Sequence, residues 1–97
     1  MYARLVLVTL GPESRAKAEA LADQFGHMLA ELEGFRGVTF IADDVAGEYG
    51  SISLWETKKH AENVRISAGP QLKQDLRAIA KGPPRVRLFE VYEPKLD

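Results

Sequence analysis

The stretch "YGSISLWETKKHAENVR", residues 49–65, changes rhythm at Trp55. Before it, small polar and large apolar residues alternate, as in a strand whose successive side chains point to opposite faces. After it the residues turn charged and helix-forming. By that spacing Ser51, Ser53 and Trp55 share one strand face, and Ile52 and Leu54 share the other. Thr57 stands where a helix N-cap is wanted, ahead of a stripe of Ala61, Val64 and Ala68. The chain's only Trp therefore sits where a strand hands over to a helix.

Upstream, "FRGVTFIADD" (35–44) reads as a strand, and "VAGEYG" is too short for a crossover, so residues 49–57 return as its antiparallel hairpin partner. "YARLVLVTL" (2–10) is a strand stopped by Gly11-Pro12, with apolar residues on both faces: Tyr2, Val6, Val8 and Leu10 on one, Ala3, Leu5 and Leu7 on the other. Between these strands, from Pro12 to about Glu33, Leu21, Phe25, Met28, Leu29 and Leu32 fall on one helical stripe that Gly34 is placed to stop. Downstream, "AGP" (68–70) breaks the helix begun at Thr57. A second helical stretch follows from Pro70, with Leu72, Leu76, Ile79 and Ala80 on one face, and "RVRLFEVYE" (85–93) is the last strand.

The order is strand, helix, strand, strand, helix, strand. This is the βαββαβ pattern of a ferredoxin-like α+β domain with a four-stranded antiparallel sheet. Right-handed crossovers put the first and third strands in the middle and all helices on one face. The opposite face, carrying apolar residues of the first strand, then calls for a cover, and the simplest is a second copy packed sheet to sheet as a homodimer.

Composition narrows the function. At 97 residues the chain is expected to form one domain over 1–97. Thirteen basic and 14 acidic residues give a net charge of −1 with no basic stripe, which argues against nucleic acid as a partner. Cysteine is absent, so there are no disulfides and no thiolate chemistry. No apolar run is long enough for a membrane span, and the N-terminal residues lack a signal peptide's long apolar core, so a cytoplasmic location is expected.

"GFRGVTFIADD" with its hairpin, followed by "SLWETKKHAENVRISAGPQL", resembles the antibiotic-biosynthesis monooxygenase family of dimeric α+β barrels. The features that carry the resemblance are Gly34 or Gly37 at the second strand, Trp55-Glu56-Thr57 ending the third, and the small-residue break Ser67-Ala68-Gly69-Pro70. The resemblance implies a dimer with a small-molecule pocket in each monomer, between sheet and helices. It also implies a cofactor-independent monooxygenase acting on phenolic or quinol-like compounds. Haem-degrading members use an Asn on the first strand, a Trp ending the third and a His in the next helix. Of these only Trp55 is present. The expected His position falls near Val64 or Arg65, beyond His60, which makes haem degradation the weaker alternative.

Two serines beside an indole leave a notch on a strand, the floor of a pocket with two hydroxyls and an aromatic wall. Trp55, Ser51 and Ser53 are therefore candidate substrate-binding residues, alongside Asn63. The competing reading makes Trp55 a core plug and the serines small residues under packed helices. His60, one turn before Val64, is a candidate acid or base, and Arg65 a candidate anion holder. His27 faces away from the helical stripe, between Asp23 and Glu31, and reads as part of a surface charge ladder. Arg85 and Arg87 on the last strand suit either an anionic ligand or a charged sheet edge. Asp43 and Asp44 read as turn chemistry. No phosphate-binding loop, zinc spacing or flavin fingerprint occurs, so no cofactor and no metal are expected. A non-enzymatic, small-molecule-binding or stress-associated dimer is the main rival function.

Overall fold

In the computed structural model, which describes residues 1–96, the elements are β1 (Tyr2–Thr9), α1 (Arg15–Ala30), β2 (Phe35–Asp43), β3 (Glu48–Trp55), α2 (Lys58–Ser67), α3 (Gly69–Leu76) and β4 (Arg85–Glu90). The sheet order is β2-β3-β1-β4, with every neighbour antiparallel, and the fold is ferredoxin-like. β1 and β3 are central, as the crossover rule requires.

The helix boundaries differ from the periodic reading at the ends. α1 starts at Arg15 because Gly11 (φ +100°) and Glu13 (φ +61°) turn the chain through left-handed conformations before a helix can begin. The Ser14 hydroxyl does not cap α1; it donates to the Leu10 carbonyl at 3.3 Å. Thr57 caps α2 as expected, accepting the His60 N–H at 3.2 Å. α3 is regular only to Leu76 and closes in a turn, with the Ala80 N–H donating to the Leu76 carbonyl. β4 stops at Glu90 because its partner β1 ends opposite it, at Tyr2. Only the Val91 N–H to Met1 carbonyl bond continues the pairing.

Register assigns the faces. Toward the helices point Tyr2, Arg4, Val6 and Val8 of β1, Tyr49, Ser51, Ser53 and Trp55 of β3, and Val38, Phe40 and Ala42 of β2. The opposite face carries Ala3, Leu5, Leu7, Ile41, Ile52, Leu54 and Phe89, and no helix among the described residues covers it. The core beneath the helices comes in two parts. One gathers Val6, Val8, Leu10, Tyr49 and Leu76; the other gathers Leu29, Trp55, Ala61, Val64 and Ala68. Between them, on the two central strands, lies a polar waist of Arg4, Ser51 and Ser53, all three buried.

Gly34 joins α1 to β2 at φ +84°, and a Cβ there would overlap the ring of His60. The glycine thus stops the helix and lets α2 dock against the turn. Gly34→Ala is expected to destabilise the protein by about 2 kcal/mol or more, since a non-glycine residue in this conformation costs roughly 1–3 kcal/mol before any clash. Denaturant unfolding checks it. Adding His60→Ala should recover the steric part only, and an unchanged midpoint in Gly34→Ala would contradict this account.

Candidate functional site

A cavity of about 310 Å³ opens between the helix-facing side of the sheet and the helices, at the low end of the range for small-molecule sites. Its floor is Arg4, Val6 and Val8 of β1 with Tyr49 and Ser51 of β3. Phe25 and Leu29 of α1 form one wall, and Leu72 and Leu76 of α3 the other. β2 closes the side with Phe40 and Ala42. The cavity is predominantly apolar because α1 and α3 present their apolar stripes to a strand that is apolar on this face everywhere except at Arg4.

Of the residues singled out from the sequence, the structure brings Ser51 to this cavity. Among the described residues its hydroxyl makes no side-chain hydrogen bond and, since no fully buried side-chain oxygen lacks a partner, it opens onto the cavity. Ser53 does not border the space. Its hydroxyl donates to the Arg4 carbonyl at 3.4 Å and accepts the Trp55 indole N–H at 2.9 Å. Trp55 is 0 % exposed, packed edge-on to Phe35 with ring centroids 5.6 Å apart. An indole enclosed on every side by protein has no face left for a ligand, and it forms the packed end of the core behind the cavity.

His60, Asn63 and Arg65 are also off the cavity wall. The Nδ1 of His60 lies 2.9 Å from the Thr57 hydroxyl and its Nε2 lies 3.7 Å from Glu33, so the ring ties the start of α2 to the turn after α1. Asn63 is exposed on α2. Arg65 borders a second cavity of about 280 Å³, together with Ala61, Glu62, Val86, Leu88 and again Arg4. Arg85 pairs with Glu48, and Arg87 lies 4.6 Å above the Phe89 ring; both arginines stand on the uncovered sheet face. Among the described residues no group of three or more His, Asp and Glu side chains converges as a metal would require.

Two features of the site go beyond the residues assigned to it from the sequence. The first is Arg4, the one charged residue on the inward face of β1, only 7 % exposed and part of the wall of both cavities. Burial lowers its pKa, with no acidic neighbour among the described residues offsetting the shift. The signal was available, as an Arg in phase with Tyr2, Val6 and Val8.

The second feature is a chain of hydrogen bonds at the cavity mouth. The buried Tyr49 phenol donates to Asp44 at 2.9 Å and accepts the Ser14 N–H at 3.1 Å. Asp44 in turn accepts from Arg15 at 2.9 Å, and Arg15 donates to Glu19 at 3.1 Å. These bonds join the β2–β3 hairpin to the start of α1. Gly47 (φ +71°) lets the hairpin lie against Gly11, where a Cβ would strike backbone.

No family model matches the sequence, and no curated protein matches it either. Solved structures do match. A monooxygenase from the ActVA-Orf6 gene of Streptomyces coelicolor, solved with nanaomycin D, superposes with a TM-score of 0.77 at 22% identity, over 99% of this chain and 91% of that one. A mutant of SnoaB, a cofactor-independent oxygenase from Streptomyces nogalater, gives a TM-score of 0.77 at 18% identity, over 96% and 94%. Rv0793 from Mycobacterium tuberculosis gives 0.77 at 15%, over 96% of both. The likeness is one of fold. The same architecture was expected from the residues around Trp55, and these structures share it across almost the whole chain.

Burial, and then the bond to Asp44, raise the Tyr49 phenol above its ordinary 10.0. The fold therefore favours the neutral form. Its contribution to stability is complete below pH 10 and is lost as pH climbs through the raised value. Denaturant unfolding across alkaline pH should show wild type losing stability above pH 10 more steeply than Tyr49→Phe, with a constant offset below it. Parallel curves above pH 10 would remove Tyr49 from the account.

Proposed function

We propose that the protein is a cofactor-independent monooxygenase that takes a phenolic or quinol-like molecule into the cavity between sheet and helices and works as a homodimer. The observation that carries this reading is the cavity itself. It is an apolar space of about 310 Å³ floored by the central strands, with the Ser51 hydroxyl directed into it, in a chain sharing its fold with oxygenases.

The chemistry needs no bound redox group if the substrate supplies the electrons. Loss of the phenolic proton makes the ring electron-rich enough to reduce dioxygen. A carbon–oxygen bond forms at the ring, and the hydroperoxide then loses water to leave a carbonyl. One oxygen atom stays in the product and the other leaves as water with two substrate hydrogens, so no external reductant is consumed. The protein's part is to exclude water, orient the ring and hold the oxygen that loses its proton. On this reading the Ser51 hydroxyl does the holding, since the Tyr49 phenol is already engaged with Asp44 and Ser14. Trp55, Ser53 and His60 serve behind the wall, fixing the end of β3 and the start of α2 that frame it.

The homodimer is supported by the uncovered sheet face, where Ile41, Ile52 and Phe89 are each between 37% and 40% exposed around the half-buried Leu5 and Leu7. Apolar surface of this kind on a small chain is an association site. A binding protein without catalysis is the rival reading. It is favoured by one observation: neither His27 nor His60 borders the cavity, and the one carboxylate on its wall among the described residues, Glu19, is exposed and paired with Arg15. The same absence of a wall histidine counts against the haem alternative.

Oxygen uptake with a panel of naphthols, anthrones and benzoquinols tests the reading. At least one substrate should consume one dioxygen per quinone formed, and Leu72→Trp, which fills the cavity, should suppress the rate. Saturable binding without oxygen uptake would establish the rival, and activity untouched by Leu72→Trp would move the site elsewhere. In light scattering the protein should run at twice 10.8 kDa, with Ile52→Asp shifting it toward the monomer.

A further inference from the structure

We infer that Arg4 is an anion-binding residue of the cavity, and that the ligand is a small, largely apolar aromatic molecule carrying one anionic oxygen group of the carboxylate or phenolate kind. The inference rests on the proposed cavity as the binding site, and it is independent of whether oxygen chemistry follows.

Arg4 stands on the middle of a central strand, directly opposite Ser53 on β3 and Leu88 on β4, at the waist between the two parts of the core. Its backbone is held by the Ser53 hydroxyl, which donates to its carbonyl. Its side chain is held by nothing polar. Among the described residues the guanidinium has neither an acidic partner nor a hydrogen bond, although the residue is only 7 % exposed. No fully buried side-chain nitrogen in the described structure lacks a partner, so its N–H groups must open onto the two cavities it borders.

Removing a cation from water without a counter-charge is costly, and buried charges are ordinarily paired. Arginine does not escape the cost by losing its proton near neutral pH. The other charged groups on the walls are spent or distant from this task. Arg15 and Glu19 pair with each other at the mouth, and Glu62 and Arg65 are exposed on the outer side of the second cavity. What remains is a planar fork of donors, desolvated and unpaired, at the floor of an apolar space. Such a fork matches two oxygens of a carboxylate, or a phenolate oxygen with a neighbouring carbonyl. The Ser51 hydroxyl, on the same face of the neighbouring strand, adds a further donor.

Calorimetric titration with 2-naphthoate and its neutral isostere 2-naphthamide tests the assignment. Wild type should bind the acid about ten- to a hundredfold more tightly than the amide, the range that charge-assisted hydrogen bonds supply. Arg4→Met should bring naphthoate down to the level of naphthamide and leave naphthamide unchanged. Arg4→Lys, which keeps the charge and loses the fork, should fall between. With an uncompensated buried cation gone, ligand-free Arg4→Met should also melt above wild type, whereas removing a merely structural residue would lower the melting temperature. Equal affinities for acid and amide in wild type, no binding of either, or a preference that survives Arg4→Met would each overturn the inference. If Arg4→Met fails to fold, the wild-type pair and Arg4→Lys decide. Absence of oxygen uptake alongside an intact preference for the acid would sink the oxygenase reading alone.

Discussion

The hydroxyl of Ser53 joins three parts of the molecule at once. It accepts the indole N–H of Trp55 and donates to the carbonyl of Arg4, across the pairing of the two central strands. With both functions used, the largest side chain in the protein is enclosed without an orphaned polar atom, as a buried indole demands. Trp55 can then anchor α1 and α2 through Leu29, Ala61 and Val64. Arg4 is set in the middle of the floor by the same bond. The position of the cavity follows, since it is the space left between the packing around Trp55 and the packing around Tyr49.

That arrangement explains why the site is apolar and yet not indifferent to charge. α1 and α3 contribute aliphatic and aromatic walls, and β3 contributes the small Ser51 where a larger residue would fill the space. Against this background the buried Arg4 guanidinium weighs heavily in the local electrostatics, because a charge away from bulk water is screened less. The hydrogen-bonded chain from Tyr49 through Asp44 to Arg15 stands at the cavity mouth and binds a hairpin to a helix start. The exposed ion pairs in that chain contribute little by themselves. The buried phenol gives them a fixed geometry.

Much of this was legible in the residues. The switch of period at Trp55, the short hairpin connection and the breaks at Gly11-Pro12 and Ala68-Gly69-Pro70 led to the correct order of elements and to the sheet order with β1 and β3 inside. Thr57 announced its cap. Ser51 reached the cavity because period two in a paired strand dictates which side chains share a face. The same spacing also grouped Ser53 and Trp55 with Ser51, and there it stopped being informative. A strand face is continuous, but different helices cover different parts of it, so neighbours on one face end up under different covers. His60 and Arg65 lie on α2, whose inward stripe packs on Trp55 and leaves their side chains at the margin.

Local alternation, turn residues and helix breakers thus determined, from sequence alone, the elements, their order and the face each strand turns inward, because these depend on interactions a few residues apart. Tertiary structure decided which inward residues meet packing and which meet a cavity. That choice depends on how α1, α2 and α3 lie across the sheet. It made Trp55 a plug and Ser53 its acceptor, and it left Arg4, unremarkable in the chain, as a buried cation without a partner among the described residues.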